Sequence, residues 1–375
     1  MYFDNSATTK PCDAAIKNVN TALTSIWGNP SSLYNIGFEA QQLVDGTRDS
    51  VAALLRCRSD EIYFTGSGTE GNNTAILGAA YARKKRGNRI VTTAIEHPSV
   101  LETVKRLEDD GFEVVRIKPG PDGNITADDI RAAINEKTVL VSIMLVNNES
   151  GAILPIKAAR DAINAVGAPA LLHSDGVQAF GKIPIDLGAL GVDLFTASGH
   201  KIHGPKGVGI LYIKKGVTIK PLITGGGQEK GMRSGTESVP LIYGLKGAVD
   251  NIGNIKENLK KAKELCDYTK SVLQDTGLIT VNSPENALPY ILNISVQGYR
   301  SETMLHFLES QGVYVSSGSA CAKGNGSYVL NEMGLPRKTV DSALRISFSR
   351  FNTKDDADRL KQSIIEATQK LRRAN

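Results

Sequence analysis

The run Leu194-Phe195-Thr196-Ala197-Ser198-Gly199-His200-Lys201 ends on the residue best placed to do chemistry. An apolar, strand-like stretch stops at small and polar residues, and Lys201 stands where strand gives way to loop. In an α/β protein that is the carboxyl edge of the sheet, where ligands bind. A lysine held there can form a Schiff base with an aldehyde cofactor such as pyridoxal phosphate. One lysine on a turn carries little weight alone, so the other strand ends decide the matter.

Three more apolar runs end in polar groups. Residues 89–95 lead into Glu96-His97-Pro98, residues 138–146 into Asn147-Asn148-Glu149, and residues 170–173 into Ser174-Asp175, with Gln178 three residues on. Upstream, residues 61–64 open into Thr65-Gly66-Ser67-Gly68-Thr69-Glu70-Gly71, followed by a helical run from Asn72 to about Arg86. Glycines let the backbone curl so that amides at a helix N-terminus can bind phosphate. The pattern is not the dinucleotide fingerprint G-x-G-x-x-G. A phosphate cradle, an imidazole, an Asn, an Asp and a Lys at strand ends describe one site.

The elements that position them alternate between strand-like and helix-like from about residue 15 to about 235. That is the signature of a mostly parallel sheet covered by helices. The strands read as continuous apolar runs, as expected when both faces are buried. Residues 221–235 are Gly-rich and loop-like, and a long helical region over 239–273 reads as a connector. From residue 278 onward, strands near 290–296 and 312–316 and helices near 301–311 and 353–372 suggest a smaller α+β unit.

Composition fits a large globular enzyme. The 375 residues are 41% hydrophobic and 22% charged, with a net charge of +5. The charge is spread out, apart from Arg83-Lys84-Lys85-Arg86, which reads as a solvated helix end favoured by the dipole. No nucleic-acid contact is expected from it. No run approaches transmembrane length and no signal peptide is evident, so no membrane partner and a cytoplasmic location are expected. Four cysteines, at 12, 57, 266 and 321, form neither a disulfide framework nor a metal cluster, and no metal is expected. Cys57 and Cys266 read as packing residues. Cys321 stands in the small, polar run Ser316-Ser317-Gly318-Ser319-Ala320-Cys321-Ala322-Lys323-Gly324, where a thiol is accessible and beside a cation.

In this order and spacing the motifs resemble a known family. Asp4-Asn5-Ser6-Ala7-Thr8-Thr9, Gly28-Asn29-Pro30-Ser31-Ser32, Phe64 to Glu70, Glu96-His97 and Val146-Asn147-Asn148-Glu149 lead into Ser198-Gly199-His200-Lys201. Gly226-Gly227-Gln228-Glu229, Arg233-Ser234-Gly235-Thr236, Ser317-Gly318-Ser319-Ala320-Cys321 and Leu344-Arg345-Ile346-Ser347 follow. The chain is similar to cysteine desulfurases of the NifS/IscS type, in the class-V aminotransferase family of fold-type I pyridoxal-phosphate enzymes. The resemblance implies a large cofactor-binding domain over 15–255 with a mostly parallel seven-stranded sheet. It also implies a smaller α+β domain from 1–14 and 256–375 that carries the cysteine loop.

The resemblance further implies roles. Lys201 would hold the cofactor and shuttle the Cα proton, Asp175 would pair with the pyridinium nitrogen, and Gln178 would donate to the phenolic oxygen. His97 would stack on the ring and help with proton transfer. Gly68, Thr69, Ser198 and His200 would hold the phosphate, with Thr236 reaching it from the other subunit of a homodimer. Asn148 and Arg345 would bind the substrate carboxylate, and Cys321 would take the sulfur of L-cysteine as a persulfide for an acceptor protein. Such sulfur feeds iron–sulfur cluster assembly or tRNA thiolation.

Alternatives stay open at this point. Asn147 could replace Asn148, and Lys206 in Gly204-Pro205-Lys206-Gly207 could replace Lys201. His173 and His203 read as supporting or surface residues, and His306 as structural. A selenocysteine lyase or an aminotransferase of the same fold would share most of the site. Asp175 is followed by Gly176 where the family usually has Ala, a change without consequence for ring contacts. The loop after Cys321 is slightly shorter than in scaffold-loading members, which leaves the acceptor open.

Overall fold

The computed structural model describes residues 1–318 and 326–373. Its larger sheet comprises β1 (Ile62–Thr65), β2 (Arg89–Thr93), β3 (Glu113–Ile117), β4 (Thr138–Ser142), β5 (Leu171–Asp175), β6 (Leu194–Ser198) and β7 (Gly209–Ile213). These seven strands lie in the order β1-β7-β6-β5-β4-β2-β3. β7 pairs antiparallel with both its neighbours, and the remaining pairs are parallel. The carboxyl ends of β1, β2, β4, β5 and β6 therefore share one edge. Every residue of β4, β5, β6 and β7 is buried, as their uninterrupted apolar sequences require.

A second, antiparallel sheet of three strands, β8 (Ile279–Val281), β9 (Ile291–Val296) and β10 (Ala343–Ser347), has the order β10-β9-β8. It has its own core of Leu292, Ile294, Leu344, Ile346 and Phe348, covered by the helix Lys354–Lys370. Phe3 joins that core edge-to-face with Phe348, centroids 5.9 Å apart. Bridges Tyr2–Tyr314 and Asp4–Ser347 lay the N-terminal segment along this unit. From there the segment runs to the edge of the larger sheet, where Thr9 N–H donates to His200 O at 2.9 Å.

Several expectations need correction. The region 239–273 is two helices, Val239–Asp250 and Ile255–Gln274. Gly253 takes φ +75° between them, and Asn254 caps the second by accepting from the N–H groups of Lys256 and Glu257. The stretch 312–316 makes only isolated bridges at Tyr314 and Ser316, while β8 and β10 form strands that were not read as such. The helix expected from Asn72 to about Arg86 spans Gly68–Arg83, because Ser67 caps it by accepting from Glu70 N–H.

Candidate active site

The strand ends converge on a cavity of about 340 Å³. Lys201, His97, Gly68, Thr69, Asn148, Asp175, Gln178, Ser198, His200 and Arg345 all line it. Two expected site residues are not among them. Thr236 is exposed and lies outside the lining, and Cys321 lies outside the described residues. Gly318, the last described residue before that segment, does line the cavity.

Each side chain is aimed by its local turn. After β6 the chain makes a single 3₁₀ turn, Gly199–Lys201, which carries Lys201 to the rim. There Lys201 Nζ donates to Ser6 O at 2.5 Å and Ala7 O at 2.8 Å. Asp175 ends β5; its Oδ2 accepts from Asn72 Nδ2 at 2.7 Å and its Oδ1 from Val177 N–H at 2.9 Å. His97 caps the helix Pro98–Asp109, with Nδ1 accepting from Ser99 N–H at 3.1 Å. Gln178 spans two neighbours, donating from Nε2 to Ser6 O and accepting at Oε1 from Lys182 Nζ, both at 3.0 Å. Arg345 reaches across from β10, donating to Asn148 O at 2.9 Å and to Asp4 Oδ1 at 2.7 Å.

The structure places the alternative residues differently. Asn147 is consumed by structure: its Nδ2 donates to Ile95 O, and its Oδ1 accepts from the N–H groups of Glu149 and Ser150. Asn148 faces the cavity instead. Lys206 is exposed, whereas Lys201 is in the wall. His173 is fully buried within the sheet, between Ser142 Oγ at 2.8 Å and Thr196 Oγ1 at 3.2 Å. His203, at φ +67°, binds Lys10 O through Nδ1 and stacks edge-on to Phe351. His306 is a surface residue beside Glu309 rather than a structural one, because its helix turns that position to solvent. Burial pushes the Cys57 thiol up to about 12 and that of Cys266 up to about 11, consistent with packing roles.

Burial also sets the electrostatics. It pushes Lys201 down to about 8, helped by the Arg345 cation and opposed by Asp4 and Asp175. His97 is lowered by burial and then by Lys201, against the pull of Asp175, so its imidazole is neutral near pH 7. His200 falls to about 4, by burial first and then the lysines around it. Two buried acids carry no mark of their burial in the sequence: Glu149, which lines the cavity, and Glu96, next to His97 but outside the lining. Glu96 is fully buried and pushed up to about 8, and Glu149, also buried, is raised with its carboxyl on Ser327 Oγ. Their polarity pointed outward; only the tertiary neighbours reveal them as buried.

Whether this wall suits pyridoxal phosphate can be read from what it leaves unsatisfied. Ser198 Oγ, Asn72 Oδ1, Asn148 Oδ1 and Arg345 Nε are buried without a hydrogen-bond partner among the described residues, an arrangement that costs free energy unless a ligand completes it. Ser198 lines the cavity together with Gly68 and Thr69 in the first turn of the helix Gly68–Arg83, whose leading N–H groups lack helical acceptors. A Cβ on Gly68 would stand 2.8 Å from Val177 Cγ2 and 3.5 Å from Ser198 Cβ, filling that cradle. An anion cup, a buried carboxylate and a lysine within one cavity fit the cofactor. Among the described residues no cluster of His, Cys, Asp and Glu could hold a metal ion, and no helix is long and apolar enough to cross a membrane.

Comparison with known proteins agrees. The aminotransferase class-V family model matches residues 1–360. A NifS/IcsS protein homolog of Lactobacillus delbrueckii subsp. bulgaricus is 42% identical, covering 100% of this chain and 99% of that protein. The cysteine desulfurase IscS of Methanosarcina thermophila is 39% identical over 99% of this chain and 93% of its own. A solved NifS-like protein superposes with a TM-score of 0.94 at 38% identity, covering 99% of this chain and 100% of that one. With sheet, cavity and full-length similarity in accord, the chain belongs to the aminotransferase class-V family, among its NifS/IscS-type cysteine desulfurases, and is a pyridoxal-phosphate-dependent enzyme.

Proposed function

We propose that the protein converts L-cysteine to L-alanine and retains the sulfur as a persulfide on Cys321, from which an acceptor protein removes it. The observation that carries this reading is the convergence of Lys201, Asp175, His97 and Arg345 on one cavity. The naming of its relatives as cysteine desulfurases supports the substrate.

In this reading Lys201, Asp175, Gln178 and His97 hold the cofactor's ring, and Gly68, Thr69, Ser198 and His200 hold its phosphate. When bound, pyridoxal phosphate supplies an electron sink for the charge left at the substrate Cα. Arg345 and Asn148 bind the substrate carboxylate and orient the Cα–H bond toward Lys201. Held near 8, the Lys201 amine is neutral often enough at neutral pH to take that proton and later return one. The Cys321 thiolate attacks the substrate sulfur: an S–S bond forms, the Cβ–S bond breaks, and its electron pair stays with carbon. Protonation then yields alanine. Cysteine and a thiol become alanine and a persulfide, so no external oxidant is needed.

The organisation follows. Residues 15–255 form the cofactor domain, and 1–14 with 256–375 the smaller one, a division supported by Phe3 in the smaller core. The active form is a homodimer in which Thr236 completes a second copy's phosphate site. The exposed Trp27, Leu33, Tyr34 and Phe38, clustered within a dozen residues of sequence, support a covering partner of that kind. The acceptor is an iron–sulfur scaffold or a tRNA sulfurtransferase, and the unpaired thiols of Cys12, Cys57 and Cys266 suit the cytoplasm.

The test is incubation with L-cysteine and a reductant, measuring alanine and sulfide together. Both should form in equal amounts, and Cys321→Ala should release almost none while still binding cysteine. After a single turnover, mass spectrometry should find the extra sulfur on the Cys321 peptide. Sulfur on another cysteine, undiminished release by Cys321→Ala, or a keto acid as product would overturn the reading.

A further inference from the structure

Lys182 is buried behind the cavity wall, and no role above uses it. It does not line the main cavity but faces a smaller one of about 40 Å³, shared with Lys201 and Tyr290. Its Nζ donates to Gln178 Oε1 at 3.0 Å and lies 6.0 Å from the centroid of the Tyr290 ring. On the far side of the same amide, Gln178 Nε2 donates to Ser6 O, which also accepts from Lys201 Nζ. An ammonium carries only donors and a carbonyl only lone pairs, so both neighbours dictate the same orientation of the amide.

We infer that Lys182 is a positioning residue: it fixes the Gln178 amide so that an N–H, and not the carbonyl, is turned toward the cofactor beside Lys201. The inference rests on the reading that Gln178 meets the cofactor's ring oxygen.

Energetics favour a purpose for this lysine. Burying an ammonium is costly unless it is paired, and among the described residues no carboxylate lies within ion-pair distance of Lys182. Burial, with Lys201 and Arg345 nearby, pushes it down to about 7. Because Gln178 Oε1 can only accept, an N–H of Lys182 makes the contact whether the amine is charged or neutral. A Met or Leu would fill the same space without that cost, but would leave one end of the amide unheld.

The experiment follows the visible absorption of the protein loaded with pyridoxal phosphate as pH is varied. Wild type, Lys182→Met, Gln178→Ala and the double variant are compared. An N–H donated to the ring oxygen favours its deprotonated form, so loss of that donor raises the titration midpoint. Lys182→Met should raise the midpoint by about half a pH unit or more, and should add little once Gln178 is alanine. Lys182→Leu, read in the same cycle, serves should the Met variant not fold. No shift from Lys182→Met, or an equal shift in both backgrounds, would overturn the inference, the latter by assigning the effect to charge acting through space. If Gln178→Ala alone leaves the midpoint unmoved, the placement of Gln178 against the cofactor falls, and the relay with it.

Discussion

The two sheets serve the site in different ways. The seven-stranded sheet offers groups from its strand ends: Asp175 ends β5, and His97, Asn148 and Lys201 each follow a strand by a few residues and are aimed by a short local turn. The three-stranded sheet offers Arg345 from the middle of β10, where its backbone is paired with Ser316 in both directions, at 3.1 and 2.7 Å. The guanidinium then leaves its own sheet, meeting Asn148 O on the rim of the other and Asp4 on the N-terminal segment. A rim group therefore depends on local geometry, whereas Arg345 depends on how the two units dock.

The largest effect is expected at the rim. Lys201→Ala should lower alanine formation roughly 10⁴-fold, the upper range for a positioned proton-transfer group. Borohydride reduction of the loaded protein followed by peptide mapping should place the cofactor on Lys201 in wild type and on no lysine in the variant. Labelling of Lys206 or Lys182 with normal turnover would break the claim that the β6 turn alone sets this group.

Arg345 should show the other behaviour. Arg345→Ala should cost roughly 10²- to 10³-fold in kcat/KM for L-cysteine, since truncating one member of a buried charged contact costs about 2–5 kcal/mol. Its cofactor spectrum should stay near wild type, because the rim is intact. Arg345→Lys keeps the charge but loses the planar fork, and should recover only part of the loss. A full recovery would reduce the contribution of the small sheet to charge alone. A lost cofactor spectrum would instead make Arg345 a docking element for the whole cavity.

The same contrast explains what could be read from sequence. Rim groups were legible because an apolar run ending in polar residues marks a strand end, and parallel strands bring such ends to one edge. Arg345 carries no such mark: Leu344-Arg345-Ile346-Ser347 is a short strand with one charge inside it, and only the family resemblance drew attention to it. Asn147 and Asn148 are adjacent and chemically identical; the turn from Asn147 to Ser150 that consumes one of them exists only once folded. Glu96 and Glu149 were invisible as buried acids. Their partners, Met144 N–H and Ser327 Oγ, lie 48 and 178 residues away. The helix break at 251–254 was missed because apolar residues continue on both sides of Gly253.

Glu96 carries the comparison to its smallest expected effect. The Arg345 guanidinium pairs with Asp4 across the two units at 2.7 Å. Glu96, 0% exposed under the rim, has no cation among the described residues: Oε1 accepts from Thr93 Oγ1 and Met144 N–H, both at 2.8 Å, and Oε2 has no partner among them. Burial, and then the Asp175 charge, outweigh those two hydrogen bonds and push the carboxyl from 4.5 up to about 8. Between those values the folded chain binds a proton that the unfolded chain has released. Its contribution to stability is complete below about pH 4.5 and is lost as pH rises through about 8. Glu96→Gln mimics the neutral acid and should remove that loss. Calorimetry on the cofactor-loaded protein should find the variant more stable at pH 8, with a Tm gain of about 2–4 °C, and nearly equal to wild type at pH 5. The same difference at both pH values would mean that Glu96 is held ionised. The rim would then stabilise an unpaired buried charge by hydrogen bonds alone, and pairing across the sheets would no longer distinguish Arg345 from it.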